Sequence, residues 1–146
     1  MKKILSLLIF SFFSIVMFSQ NISKVIYSNA LTHCYVTAVA INDTTILYDV
    51  SEKSERKIWR ITDRSETQNM GLMSKDDVTK LFETTIDIFD NQKVGYTTEI
   101  SKNITLSFVK IWGIKCVKIE NTLIGVSFNI NKKTAQGALK AINQFN

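Results

Sequence analysis

The sequence predicts an α+β domain of two layers. A curved antiparallel sheet of six to seven strands carries two amphipathic helices on one face, in the order βββ-α-ββββ-α. Three observations support this. Two segments place apolar residues at spacings of three and four, as a helix with one buried face requires. The stretch between them alternates apolar and polar residues with period two. The alternating runs are joined by short turns, which forces neighbouring strands to be antiparallel.

Taken in order, the chain opens Met1-Lys2-Lys3 and then runs apolar from Ile4 to Phe18, broken only by Ser6, Ser11 and Ser14. A basic start before a short apolar run is the layout of a cleavable export signal. The run is shorter than the ~20 residues a helix needs to cross a bilayer, so a permanent anchor is the weaker reading. Ser19-Gln20-Asn21 ends it, and residues 1–19 are expected to be removed within a residue or two of Ser19. No cysteine lies close enough to carry a lipid. Residues 20–146 then form a single domain with its own core, periplasmic or secreted. The absence of proline and the abundance of isoleucine, lysine and asparagine fit an AT-rich bacterial genome.

His33 to Asp49 reads as two strands. Cys34 to Ile41 is rich in residues that suit a pleated surface, Asn42-Asp43 supplies a turn, and Ile46, Tyr48 and Val50 alternate with Leu47 and Asp49. A polar stretch from Ser51 to Lys57 leads to a short third strand, Ile58-Trp59-Arg60-Ile61, and Thr62 to Met73 is expected to be a polar loop. Ser74 caps the first helix, with Asp76 and Asp77 at its positive end. Val78, Leu81, Phe82, Thr85, Ile86 and Phe89 form its stripe, and Asn91 ends it. Asn131 caps a second helix whose face is Ala135, Ala138, Leu139, Ile142 and Phe145; Gly137 within it is unfavourable by about 1 kcal/mol relative to alanine.

Four strands lie between the helices. Val94 to Ile100 alternates, and Ser101-Lys102-Asn103 turns the chain. Reading Gly113-Ile114 and Glu120-Asn121 as two-residue turns pairs Lys110 with Val117 and Ile119 with Thr122. This register collects Leu106, Phe108, Val117, Ile119, Ile124, Val126, Phe128 and Ile130 on one face.

The chemistry that can be placed on this frame is sparse. Removing Lys2 and Lys3 lowers the formal charge from +5 to +3, a weak excess that argues against nucleic acid. Cys34 and Cys116 are the only cysteines, and an oxidising compartment favours a disulfide between them, with two separate buried thiols as the alternative. His33 is the only histidine, and as the strand neighbour of Cys34 it points to the opposite face, so the two do not make a nucleophile–base pair. His33, Cys34 and Cys116 are the whole supply of soft ligands, too few for a zinc site unless all converge. Asp87 and Asp90 could share a helix face and serve a carboxylate-dependent hydrolase, but acids so placed are usually solvated. The five glycines are too scattered to cradle phosphate, and no cofactor is implied.

One constellation stands out as a recognition surface. Arg56, Lys57, Trp59, Arg60 and Arg64 cluster around the third strand, and Trp112 with Lys110 and Lys115 caps a hairpin. Tryptophan and arginine are enriched at interface hot spots. Buried tryptophans with rim charges, or an edge strand protected by charge, would explain the same residues without a ligand. The expectation is a non-enzymatic exported binding domain that engages an acidic protein or an anionic glycan. A periplasmic inhibitor or immunity-type protein acting on a secreted enzyme is the first alternative, and no stable membrane anchor remains once the signal is removed.

Overall fold

Alternation of apolar and polar residues lets a strand bury one face, and most of the eight strands among the described residues do so. The computed structural model describes residues 22–56 and 64–145, with the backbone alone for 54–56 and 64–66. The strands are β1 (Ser23–Asn29), β2 (Cys34–Ala40), β3 (Ile46–Arg56), β4 (Arg64–Met73), β5 (Thr97–Ser101), β6 (Ile104–Ile111), β7 (Ile114–Asn121) and β8 (Val126–Ile130). Helix α1 (Lys75–Asn91) follows β4, and α2 (Lys132–Gln144) follows β8. The class is α+β, as expected. The single sheet is corrected: there are two antiparallel four-stranded sheets, ordered β1-β2-β3-β4 and β5-β6-β7-β8. The chain leaves the first sheet through α1, which interrupts the ladder. The two sheets meet where β4 approaches β8, and a side chain of the neighbouring strand ties them: Asn121 Nδ2, at the end of β7, donates to the Met70 carbonyl of β4 at 2.8 Å.

Both strand missing from the expected order and the expected polar loop lie in the first sheet. β1 is largely exposed, so its sequence shows little alternation. β4 takes up most of the loop expected from Thr62 to Met73; among its residues Met70 and Met73 are buried. β3 continues through the polar stretch to Arg56, which pairs with Arg64. The strand expected at Ile58–Ile61 and the export signal expected at residues 1–19 lie outside the described residues.

The second sheet follows the expected faces with corrected registers. Lys110 pairs with Lys115 and Phe108 with Val117, so the β6–β7 turn is Trp112-Gly113 and the register is displaced by two. Ile119 pairs with Phe128, and the β7–β8 turn spans residues 122–125. Even displacements keep every side chain on its face. Leu106, Phe108, Val117, Ile119, Phe128 and Ile130 are therefore buried together, whereas Ile124 falls in the turn and is exposed.

The helices begin as their caps dictate. The Asp77 N–H donates to Ser74 Oγ at 3.1 Å while the Ser74 hydroxyl donates to Asp77 Oδ2 at 2.7 Å. Asn131 Oδ1 accepts from the Thr134 N–H at 2.8 Å. The helices run antiparallel and are tied at both ends: Lys75 Nζ donates to the Phe145 carbonyl at 3.1 Å, and Lys132 forms an ion pair with Asp90. Val78, Leu81, Phe82 and Ile88 of α1 join Ala135, Ala138 and Ile142 of α2 in one core with the inward residues of both sheets. Phe89 meets Phe108 edge-on, with ring centroids 5.1 Å apart.

Candidate functional site

Two regions have the surface chemistry of a site, and they lie at opposite ends of the helix pair. The end where α2 begins gathers the β1–β2 and β6–β7 turns and the paired ends of β3 and β4. The β1–β2 turn is pinned there, because Asn29 Nδ2 donates to Thr134 Oγ1 at 3.1 Å and the Thr32 and Thr134 hydroxyls are also 3.1 Å apart. The Lys53 N–H donates to the His33 carbonyl at 2.9 Å, so β3 and β4 run past this turn to the Arg56–Arg64 pair at the same end. β8 leads into α2 at this end, and the neighbouring β6–β7 hairpin extends beyond it.

The β6–β7 tip is built from a two-residue turn. Trp112 has φ 53° and Gly113 φ 86°, the positive pair that matches the right-handed twist of a hairpin. Asparagine and glycine suit such positions; a bulky side chain with positive φ is an outlier. Trp112 is 97% exposed, and the flanking Ile111 and Ile114, which pair across the hairpin, are 39% and 68% exposed. One step behind them Lys110 and Lys115 stand directly opposite, and like charges so placed repel. Strain, exposed apolar surface and like-charge repulsion therefore coincide in six residues.

Of the residues singled out from sequence, Trp112, Lys110 and Lys115 come together at this tip, and Trp112 is exposed, not in the core. The backbone places Arg56 and Arg64 as a register pair at the same end of the molecule. Lys57, Trp59 and Arg60 lie outside the described residues. Ile111 reads in the sequence as an ordinary strand position and Ile114 as a turn residue beside Gly113, so neither stands out there as part of an apolar tip. The dipeptide Trp-Gly, with glycine second, was the signal that could have placed them on either side of the turn.

Of the two readings of the cysteines, the separate buried thiols hold and the disulfide is not formed: Cys34 and Cys116 are both free and buried. Cys34 faces the shared core from β2, whereas Cys116 pairs with Val109 on the face of β7 opposite Val117. Burial, with the nearby Glu52 carboxylate adding to it, pushes the Cys34 thiol up to about 12, and burial also raises Cys116. Neither is poised as a nucleophile, since the thiolate is the reactive form. His33 is exposed beside the buried Cys34. Among the described residues no three His, Cys, Asp or Glu side chains converge as a metal site would need.

Asp87 and Asp90 are exposed on α1, where Asn91 Nδ2 donates to Asp87 and Lys132 pairs with Asp90. The other end of the molecule holds a groove of about 360 Å³ between β4, the first turn of α1 and the β5–β6 and β7–β8 turns. Neither acid lines it. Several of its polar side chains are engaged: Ser74 and Asp77 bond each other, and Asn121 bonds the Met70 carbonyl and the Leu123 N–H.

A third polar feature sits on β3. Asp49 accepts from the Gly71 backbone, and its Oδ1 is buried without a partner. Burial raises its affinity for protons, partly opposed by the Gly71 N–H. Gly71, with φ 92°, lies in a bulge of β4 where two residues oppose Val50.

No protein-family model matches the chain, and no curated protein and no solved structure is significantly similar to it.

Proposed function

We propose that this protein is a small exported binding domain, without catalytic activity of its own, that engages an anionic partner through the β6–β7 hairpin. The supporting observation is Trp112: an almost fully exposed indole held at a positive φ, in front of a repelling lysine pair. Local costs without an intramolecular return are a mark of function, since a stabler turn is one substitution away. A partner that covers the indole and neutralises Lys110 and Lys115 would turn each of these costs into affinity.

The experiment is retention of the processed protein on immobilised polyglutamate and on a sulfated glycan as salt is raised. The Lys110→Gln/Lys115→Gln variant should elute at distinctly lower salt than the parent, with an unchanged circular dichroism spectrum. Equal elution of the two proteins would remove the hairpin from the reading. Export itself is tested by the mass of the protein recovered outside the cytoplasm, which should lack residues 1–19 to within a residue or two.

A further inference from the structure

The order of side chains along the β6–β7 hairpin carries information about the kind of anionic partner. The outermost residues are Ile111, Trp112, Gly113 and Ile114, and all four are exposed. Apart from the indole N–H, no side chain among them can form a hydrogen bond. The charges lie one residue further back, at Lys110 and Lys115. Apolar groups are thus in front and cations behind, stacked along the hairpin axis.

Recognition of a glycan depends on polar side chains fanned around an aromatic face, and this tip offers none. An acidic polypeptide would answer the lysines but leave the Ile-Trp-Gly-Ile tip without an apolar counterpart. A layered medium matches the layered tip. At a bilayer surface, tryptophan prefers the headgroup level, with its apolar body inward and its N–H wet. Lysine stems run alongside while the ammonium groups stay at the phosphates. We propose that the anionic partner is a phospholipid surface, entered by Trp112, Ile111 and Ile114 while Lys110 and Lys115 meet the lipid phosphates.

This rests on the anion-binding reading of the same hairpin. Attachment of this kind is peripheral and reversible, and no helix among the described residues is long and apolar enough to cross a membrane. Leu31, 91% exposed in the β1–β2 turn, lies at the same end, so the approach of the hairpin to a surface brings a further apolar group towards it.

The test uses the processed protein and vesicles of phosphatidylcholine with and without phosphatidylglycerol. The chain has two tryptophans, so Trp59→Phe leaves Trp112 as sole reporter. Its emission should shift to the blue with anionic vesicles alone. Near a surface each lysine contributes about fivefold to partitioning, so Lys110→Gln/Lys115→Gln should bind about 25-fold more weakly. Trp112→Asn, which suits the turn and keeps the fold, should lose at least tenfold in co-sedimentation. Unchanged co-sedimentation of Trp112→Asn would overturn the proposal. Trp112-dependent binding to polyglutamate or the sulfated glycan, with none to vesicles, would overturn it and leave the anion-binding reading intact. Binding to none of the three probes would remove both.

Discussion

Gly137 occupies the middle of α2, where alanine would ordinarily stabilise the protein by about 1 kcal/mol. The structure reverses that sign. A Cβ built on Gly137 would stand 2.6 Å from Cε2 of Tyr27, 2.9 Å from its Oη and 3.0 Å from its Cζ. Carbon atoms in good contact sit about 3.5–4.0 Å apart, so ring or helix must move by roughly 1 Å. The ring has little freedom to give way. Tyr27 follows a bulge in β1 that aims it at the helix, and its hydroxyl accepts from Asn29 Nδ2 at 3.3 Å. Overpacking of this kind costs about 1–3 kcal/mol, which outweighs the propensity gain. Gly137→Ala should therefore destabilise by about 1 kcal/mol and lower the urea midpoint by roughly 0.5 M. In a Tyr27→Ala background the obstacle is gone, and the same substitution should stabilise by about 1 kcal/mol. The double-mutant cycle then yields a coupling of about 2 kcal/mol. If Gly137→Ala stabilises the parent, or acts with the same sign in both backgrounds, the packing argument is wrong.

Four further outcomes are expected. Asp49→Asn should stabilise the protein at neutral pH by about 1 kcal/mol, because it removes an ionised carboxylate whose Oδ1 is buried and unpartnered while keeping an acceptor for the Gly71 N–H. The folded state raises the proton affinity of Asp49, so the parent is best stabilised at this site below the ordinary carboxylate range and loses that stability as pH rises through the raised value. The advantage of Asn should accordingly shrink on acidification; an advantage that grows would contradict the assignment. Without reductant, denatured protein should titrate with two thiols, and native protein with far fewer at pH 8, since a thiol held near 12 is ionised in about one molecule in ten thousand. Trp112→Asn should raise the thermal midpoint while weakening surface binding, because asparagine tolerates φ 53° better; a lower midpoint would mean that the indole packs at home. Ser74→Ala should cost about 1 kcal/mol in urea unfolding through loss of the α1 cap.

The parts of this fold that could be read from sequence are those in which local chemistry and burial agree. Ser74 and Asn131 cap helices because their side chains satisfy N–H groups that would otherwise be orphaned. The α1 stripe was nearly complete, lacking Ile88. The strands β6 to β8 were placed on their correct faces even though both turns were misplaced, because a displacement by two or by six residues preserves alternation. β1 and β4 escaped notice because their sequences bury little: Ser23 to Val25 is exposed, and Gly71 sits in a bulge that breaks the alternation of β4. The division into two sheets has no local signature, since it depends on where β4 and β8 meet. The candidate site was legible in its residues but not in its shape. Trp112, Lys110 and Lys115 were identified by type, whereas the outward projection of the tip follows from which of two adjacent dipeptides forms the turn.

The contact between Tyr27 and Gly137 also joins the first described strand to the last helix, as do the bonds from Asn29 and Thr32 to Thr134. Sequence neighbours build each meander quickly, but the core that both sheets share closes only when α2 is present to seat against β1 and α1. Folding thus waits on its most distant pairing, and a ribosome that has released β1 to β8 still holds a chain with an open core.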